Sequence, residues 1–167
     1  MRQRLGSAAL LLAFFAAGCG GGGTARVAET PDLTAPPGGV LVRFDEATVA
    51  AEVASTSEEH QLGLMHREEL DPDAGMIFLF DMPRDGGFWM KNTLLPLSIA
   101  YMRWEGEGSF EVLAVMDMEP CRSDPCRSYD PGVPYDAALE VNQGWFDRHG
   151  VTKGSAAQTE GDLPTRR

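Results

Sequence analysis

The sequence predicts a mainly β (α+β) domain, a compact and mostly antiparallel β-sandwich or barrel-like fold with one or two short helices. Two observations lead there. Seven or so short runs rich in β-branched and aromatic residues follow one another from Val40 onward, punctuated by Gly, Pro, Asp and Asn. Apolar residues recur at helical spacing only briefly.

Val40-Leu41-Val42-Arg43-Phe44 and residues 47–54 are strand-like runs parted by Asp45-Glu46, which predicts a hairpin. Thr56 stands three residues before Glu59, the spacing of a capping box, and Leu62 and Met65 follow on one helical face, so a short helix is expected. Gly75 opens the apolar run 76–80, too short for a typical helix and suited to a strand covered on both faces. Pro83 and Asp85-Gly86-Gly87 make a turn, after which Phe88-Trp89-Met90 resumes a strand. Leu97, Ile99 and Tyr101 alternate with Ser98, Ala100 and Met102, predicting a half-buried strand. Phe110, Val112, Ala114 and Met116 fall on one face of the next strand, and the two are expected to form an antiparallel hairpin. A long loop covers residues 117–134. Residues 137–141 give another strand, and residues 143–149 a short helix closed by Gly150.

The amino terminus has a different character. Arg2 and Arg4 precede an apolar stretch over residues 8–17, and Ala16-Ala17-Gly18 stands directly before Cys19. This is the layout of a secretory signal over residues 1–18, and its apolar part falls short of the roughly 20 residues a membrane-spanning helix needs. The placement of Cys19 resembles a bacterial lipobox, in which that cysteine is lipidated and becomes the mature amino terminus. The alternative is an ordinary signal peptide with Cys19 left as a thiol. The expected location is the cell envelope, lipid-anchored on the periplasmic face of a bacterial membrane. Residues 19–39, with Gly20 to Gly23, Pro31, Pro36 and Pro37, read as a flexible tether. Residues 40–158 are enough for one domain with a single core, and the polar tail 159–167 is expected to fray.

The chain carries 14 basic and 25 acidic residues, a formal charge of −11. Removing residues 1–18 takes two of the basic residues and none of the acidic ones, leaving 12 against 25. Such a surface repels phosphates, so nucleic acid is not an expected partner, and membrane attachment would rest on the lipid rather than on charge.

Trp89, Lys91, Asn92 and Thr93 form the leading candidate site. Strand alternation would send Trp89 and Lys91 to one face and Met90 and Asn92 to the other. A point cation, a paired donor and acceptor, and an apolar wall suit a small anionic or carbonyl-bearing ligand or a peptide. The plainer alternative is that Met90 is core and Asn92-Thr93 caps a turn before Pro96. Cys121 and Cys126 are expected to pair as a disulfide in an oxidising compartment and so to shape the long loop. A redox-active pair is the alternative, although the spacing is not Cys-x-x-Cys. Asp117 and Glu119, or Lys91, could serve acid–base work in a small hydrolase-like enzyme. Met116, Met118, Cys121, Cys126 and His66 are donors that copper(I) would accept, but methionines at strand positions are more simply core fillers. No cofactor is expected, and no nucleophile elbow, phosphate loop or zinc motif is present.

Four motifs occur in order: Gly-Leu-Met-His-Arg at 63–67, Gly-Met-Ile-Phe-Leu-Phe at 75–80, Trp-Met-Lys-Asn-Thr at 89–93, and Leu-Glu-Val at 139–141 before Gly144. Together they resemble the domain of unknown function 192 family of bacteria and archaea. Two departures stand out: Ser98 occupies a place where that family commonly has aspartate, and the stretch after Gly150 lacks the usual Gly-Asp. The resemblance implies a small β-rich fold and carries no established activity, cofactor or catalytic residue. The reading that follows is an envelope-anchored binding or interaction module using residues 89–93 and the Cys121–Cys126 loop.

Overall fold

The computed structural model describes residues 33–164. The signal segment, Cys19 and the first part of the tether lie outside the described residues. The chain runs β1 (Val40–Arg43), β2 (Thr48–Ala54), α1 (Ser57–Leu62), β3 (Ala74–Arg84), β4 (Phe88–Trp89), β5 (Leu97–Gly106), β6 (Ser109–Met118), β7 (Ser128–Tyr129), β8 (Tyr135–Asn142), α2 (Trp145–Arg148) and β9 (Ala156–Glu160). Seven strands close into a barrel in the order β1-β2-β3-β8-β5-β6-β9, and β4 and β7 form a separate two-stranded ribbon. The barrel form of the expected β fold is therefore the one adopted.

The β2–β3 pair is parallel and the other barrel neighbours are antiparallel. A parallel pair needs a crossover connection, and the segment with α1 supplies it. That helix starts where the capping box places it: Thr56 Oγ1 accepts from the Glu59 amide at 3.2 Å, and the Glu59 carboxylate accepts from the Thr56 amide at 2.9 Å.

Two apolar layers result. Side chains pointing inward from all seven barrel strands fill the lumen, among them Val42, Val49, Ile77, Met102, Val112, Leu139 and Ala157. One end is plugged by Phe44, Trp145 and Phe146, with ring centres 5.5–6.2 Å apart. The opposite faces of β3, β8 and β5 carry Met76, Phe78, Ala138, Ile99 and Tyr101, and these pack beneath Leu64, Met90 and Tyr129.

This second layer changes several expectations. β5 is buried on both faces over its first six residues, because Ala100 and Met102 face the lumen while Ile99 and Tyr101 face the outer layer. In β6, Met102 pairs with Val112 but Tyr101 with Ala114, so Leu113 is a bulge. The extra residue reverses the alternation: Phe110 and Val112 enter the lumen, whereas Ala114 and Met116 join the outer layer. The long loop contains β7, which pairs with β4. The second helix spans four residues rather than 143–149. At the carboxyl end, β9 reaches Glu160 and pairs with both β1 and β6, so Thr159 is part of barrel closure and not of a frayed tail. Its strand is short and mostly polar on the exposed face, which hides it among tail residues.

Gly75 has a steric reason to be glycine. A Cβ there would lie 2.5 Å from the Glu140 carbonyl oxygen, so a side chain would push β3 and β8 apart.

Candidate functional site

Residues 89–93 do not continue as a strand. β4 ends at Trp89, and residues 90–93 make a turn closed by the Thr93 amide donating to the Met90 carbonyl at 3.0 Å. Asn92 sits at the third position of that turn with φ of +57°, a left-handed conformation that asparagine tolerates better than most residues. Its amide donates to the Cys121 carbonyl at 3.0 Å, and its carbonyl accepts from the His66 amide at 2.9 Å. The turn is thus clamped between the 63–67 segment and the disulfide loop, and the alternation expected for Asn92 is lost because the chain turns there. Met90 and Thr93 are buried, whereas Trp89 is 53% exposed. Lys91 Nζ lies 2.8 Å from an Asp124 carboxylate oxygen and 5.5 Å from the Trp89 ring centre.

The other candidates are distributed as follows. Cys121 and Cys126 are joined as a disulfide with Cα atoms 5.8 Å apart, and Asp124 within their loop supplies the partner of Lys91. The sulfurs considered for copper(I) are thereby committed elsewhere: two are bonded to each other, Met118 is fully buried, and Met116 packs against the outer layer. Asp117 and Glu119 are held by separate partners. Asp117 accepts from the Ser98 hydroxyl at 2.5 Å, and Glu119 accepts from the Gln143 amide group at 3.0 Å. Ser98 is buried and also accepts from the Gly144 amide at 2.8 Å, so one hydroxyl links β5, β6 and the start of α2. The carboxylate at this junction comes from Asp117 across the strand pair. Arg67 holds Glu52 of β2 through two hydrogen bonds of 2.5 and 2.7 Å, and this contact keeps the Glu52 carboxyl below its ordinary range. The motif arginine thus anchors its loop.

Two openings flank the turn. The first is an open cleft of about 540 Å³ lined by His66, Glu68, Asn92, Leu94 and Arg122. The second is a chamber of about 30 Å³ whose walls include His60, Leu64, Phe78, Phe88, Trp89, Thr93 and Glu140. All four motif segments meet at this chamber. Glu140 is 5% exposed, and no hydrogen bond or ion pair to its carboxyl occurs among the described residues. Burial pushes that carboxyl from its ordinary 4.5 up to about 8. His60 Nε2 lies 3.1 Å from the carbonyls of both Ala54 and Leu79, so this nitrogen is the one that carries a proton. The same layer holds Tyr135, whose hydroxyl is buried without a partner, its ring 4.8 Å from that of Tyr101.

Glu140 is the site residue that strand reasoning passes over. Its signal is a lone acid inside Ala137-Ala138-Leu139-Glu140-Val141, a run buried on both faces where an acid is out of place.

Comparison with known proteins agrees with the fold. The barrel is similar to a protein of Sinorhizobium meliloti described as a candidate transcription regulator, at 29% identity and a TM-score of 0.60, covering 73% of this chain and 91% of that one. It is also similar to a protein of unknown function from Novosphingobium aromaticivorans, at 31% identity and a TM-score of 0.59, covering 74% and 84%. No curated protein matches significantly. The model of the domain of unknown function 192 family, "Uncharacterized ACR, COG1430", matches residues 40–159, which span the whole barrel from β1 to β9, and the chain belongs to that family.

Proposed function

We propose that this protein is a binding module of the cell envelope, lipid-anchored through Cys19, which takes a small carboxylate-bearing ligand or a peptide end in the open cleft beside residues 89–93. The observation that carries the reading is the cleft itself. Arg122 from the disulfide loop and His66 from the 63–67 segment face a common space with the Asn92 turn, and both of their segments are fastened to that turn by backbone hydrogen bonds. A clamped, preorganised cleft with a cation and amide groups suits a carboxylate. The rival reading, a hydrolase-like enzyme, draws less support, since Lys91 is paired with Asp124 and the Asp117 and Glu119 carboxylates bond to different partners. Direct binding of nucleic acid, one way a transcription regulator such as that named for the Sinorhizobium protein could act, is opposed by the formal charge of −11.

Calorimetry of the domain with short peptides bearing free or amidated carboxyl ends tests the site. Free ends are expected to bind, and Arg122→Glu to weaken binding at least tenfold with an unchanged melting temperature. Equal binding of amidated peptides, or indifference to the substitution, would refute the assignment. The anchor is checked separately by fractionation: Cys19→Ser is expected to leave the membrane fraction, and its full retention there would exclude the lipid.

A further inference from the structure

The small chamber behind Trp89 has a chemistry unlike that of the larger cleft. Its one acid, Glu140, stands without a hydrogen-bond or ion-pair partner among the described residues while 95% shielded from solvent. A buried polar group in this condition is rare, because leaving it unpaired costs free energy that a well-packed apolar side chain would not. The rest of the wall mixes apolar and polar groups: Phe78, Phe88 and Trp89 contribute rings, and Thr93, Gln61 and His60 contribute a hydroxyl, an amide and an imidazole whose Nε2 is held by the Ala54 and Leu79 carbonyls. The Phe78 and Phe88 rings pack edge to face at 4.9 Å. Outside the chamber, Leu62 is 59% exposed and Trp89 53% exposed, so two large apolar side chains that line it also reach solvent.

We propose that this chamber is a binding site for the primary ammonium head of an alkylamine, such as a lysine side chain or an aliphatic diamine. Three features select that class. A carboxylate facing a low-dielectric space is best satisfied by a cation. Aromatic walls attract a cation through their ring faces and tolerate the alkyl stem behind it. A volume of about 30 Å³ makes this a small chamber with room for an ammonium head, and its opening toward solvent leaves a path for the alkyl stem. The acidic surface, at a formal charge of −11, raises the local concentration of cations around the entrance. The site uses residues other than those of the carboxylate cleft, so each assignment stands or falls by its own test.

Binding has a proton signature. The free Glu140 carboxyl holds its proton at neutral pH, and the incoming ammonium makes the carboxylate the favoured form. The carboxyl proton passes to solvent while the amine keeps its own. Titration of the intact domain with n-butylamine at pH 7, in two buffers of different ionisation heat, measures this directly. The expected result is saturable binding with close to one proton released per amine, weakened at least tenfold in Glu140→Gln and several-fold in Trp89→Ala, a surface change that leaves folding intact. Acetamide, a neutral probe of similar size, is expected not to bind. Acetamide binding without proton release, binding of sodium or potassium ions alone at the same place, or amine binding untouched by both substitutions would each overturn the proposal.

Discussion

Leu139 and Glu140 are neighbours on β8, yet they enter two different interiors. Leu139 points into the barrel lumen, where apolar side chains pack together, the buried Thr159 hydroxyl is satisfied by the Gly108 carbonyl, and one end is stoppered by three aromatic rings. Glu140 points into the outer layer, where an unpaired carboxyl, the orphan hydroxyl of Tyr135 and the His60 ring share the space with apolar side chains. The lumen is built as stability alone requires. The outer layer keeps polar groups that stability would replace, so it is the part of the molecule where function is to be sought.

Substitutions on the two faces should separate cleanly. The largest loss is expected in the lumen: Leu139→Ala removes a fully buried side chain and should cost about 2–5 kcal/mol by denaturant unfolding, while leaving ligand binding by the folded fraction unchanged. A cost below about 1 kcal/mol would mean that the lumen is loosely packed. At the surface, Lys91 and Asp124 form an ion pair with side chains 37% and 61% exposed, so Lys91→Ala should cost under about 1 kcal/mol. A loss of several kcal/mol would show that this signature lysine serves structure.

Much of the lumen is legible in the chain, because Val40, Val42, Val49 and Ile77 sit in short runs of strand-forming residues, and the Thr56/Glu59 capping box marks α1. The outer layer is less so. Its covering pieces, β4, β7 and the turn at residues 90–93, are held by long-range contacts such as the Asn92 amide to Cys121, and no local pattern encodes these. The bulge at Leu113 likewise reverses faces without altering the apolar spacing. In the candidate site, Trp89, Lys91, Asn92 and Thr93 stand out by composition, but their division of labour needs the fold. Asn92 is chosen largely by a left-handed backbone, Thr93 lines the chamber, and Lys91 reaches the disulfide loop. Glu140 is visible only as an acid out of place.

The contrast between the two interiors rests on that acid, and its titration is the direct test. Below the unfolded value near 4.5 the carboxyl is protonated in both states and stability is unaffected. Between 4.5 and about 8 the folded protein keeps a proton that the unfolded chain gives up, so stability falls as pH rises, and above about 8 the loss is complete. Glutamine carries no such proton. Unfolding free energies of the wild type and Glu140→Gln should therefore diverge between pH 5 and pH 9 by roughly 4 kcal/mol in favour of the variant, at about 1.4 kcal/mol for each tenfold change in proton affinity. A difference that stays constant across that range would show that Glu140 is ionised and satisfied in the folded protein, and would contradict the account.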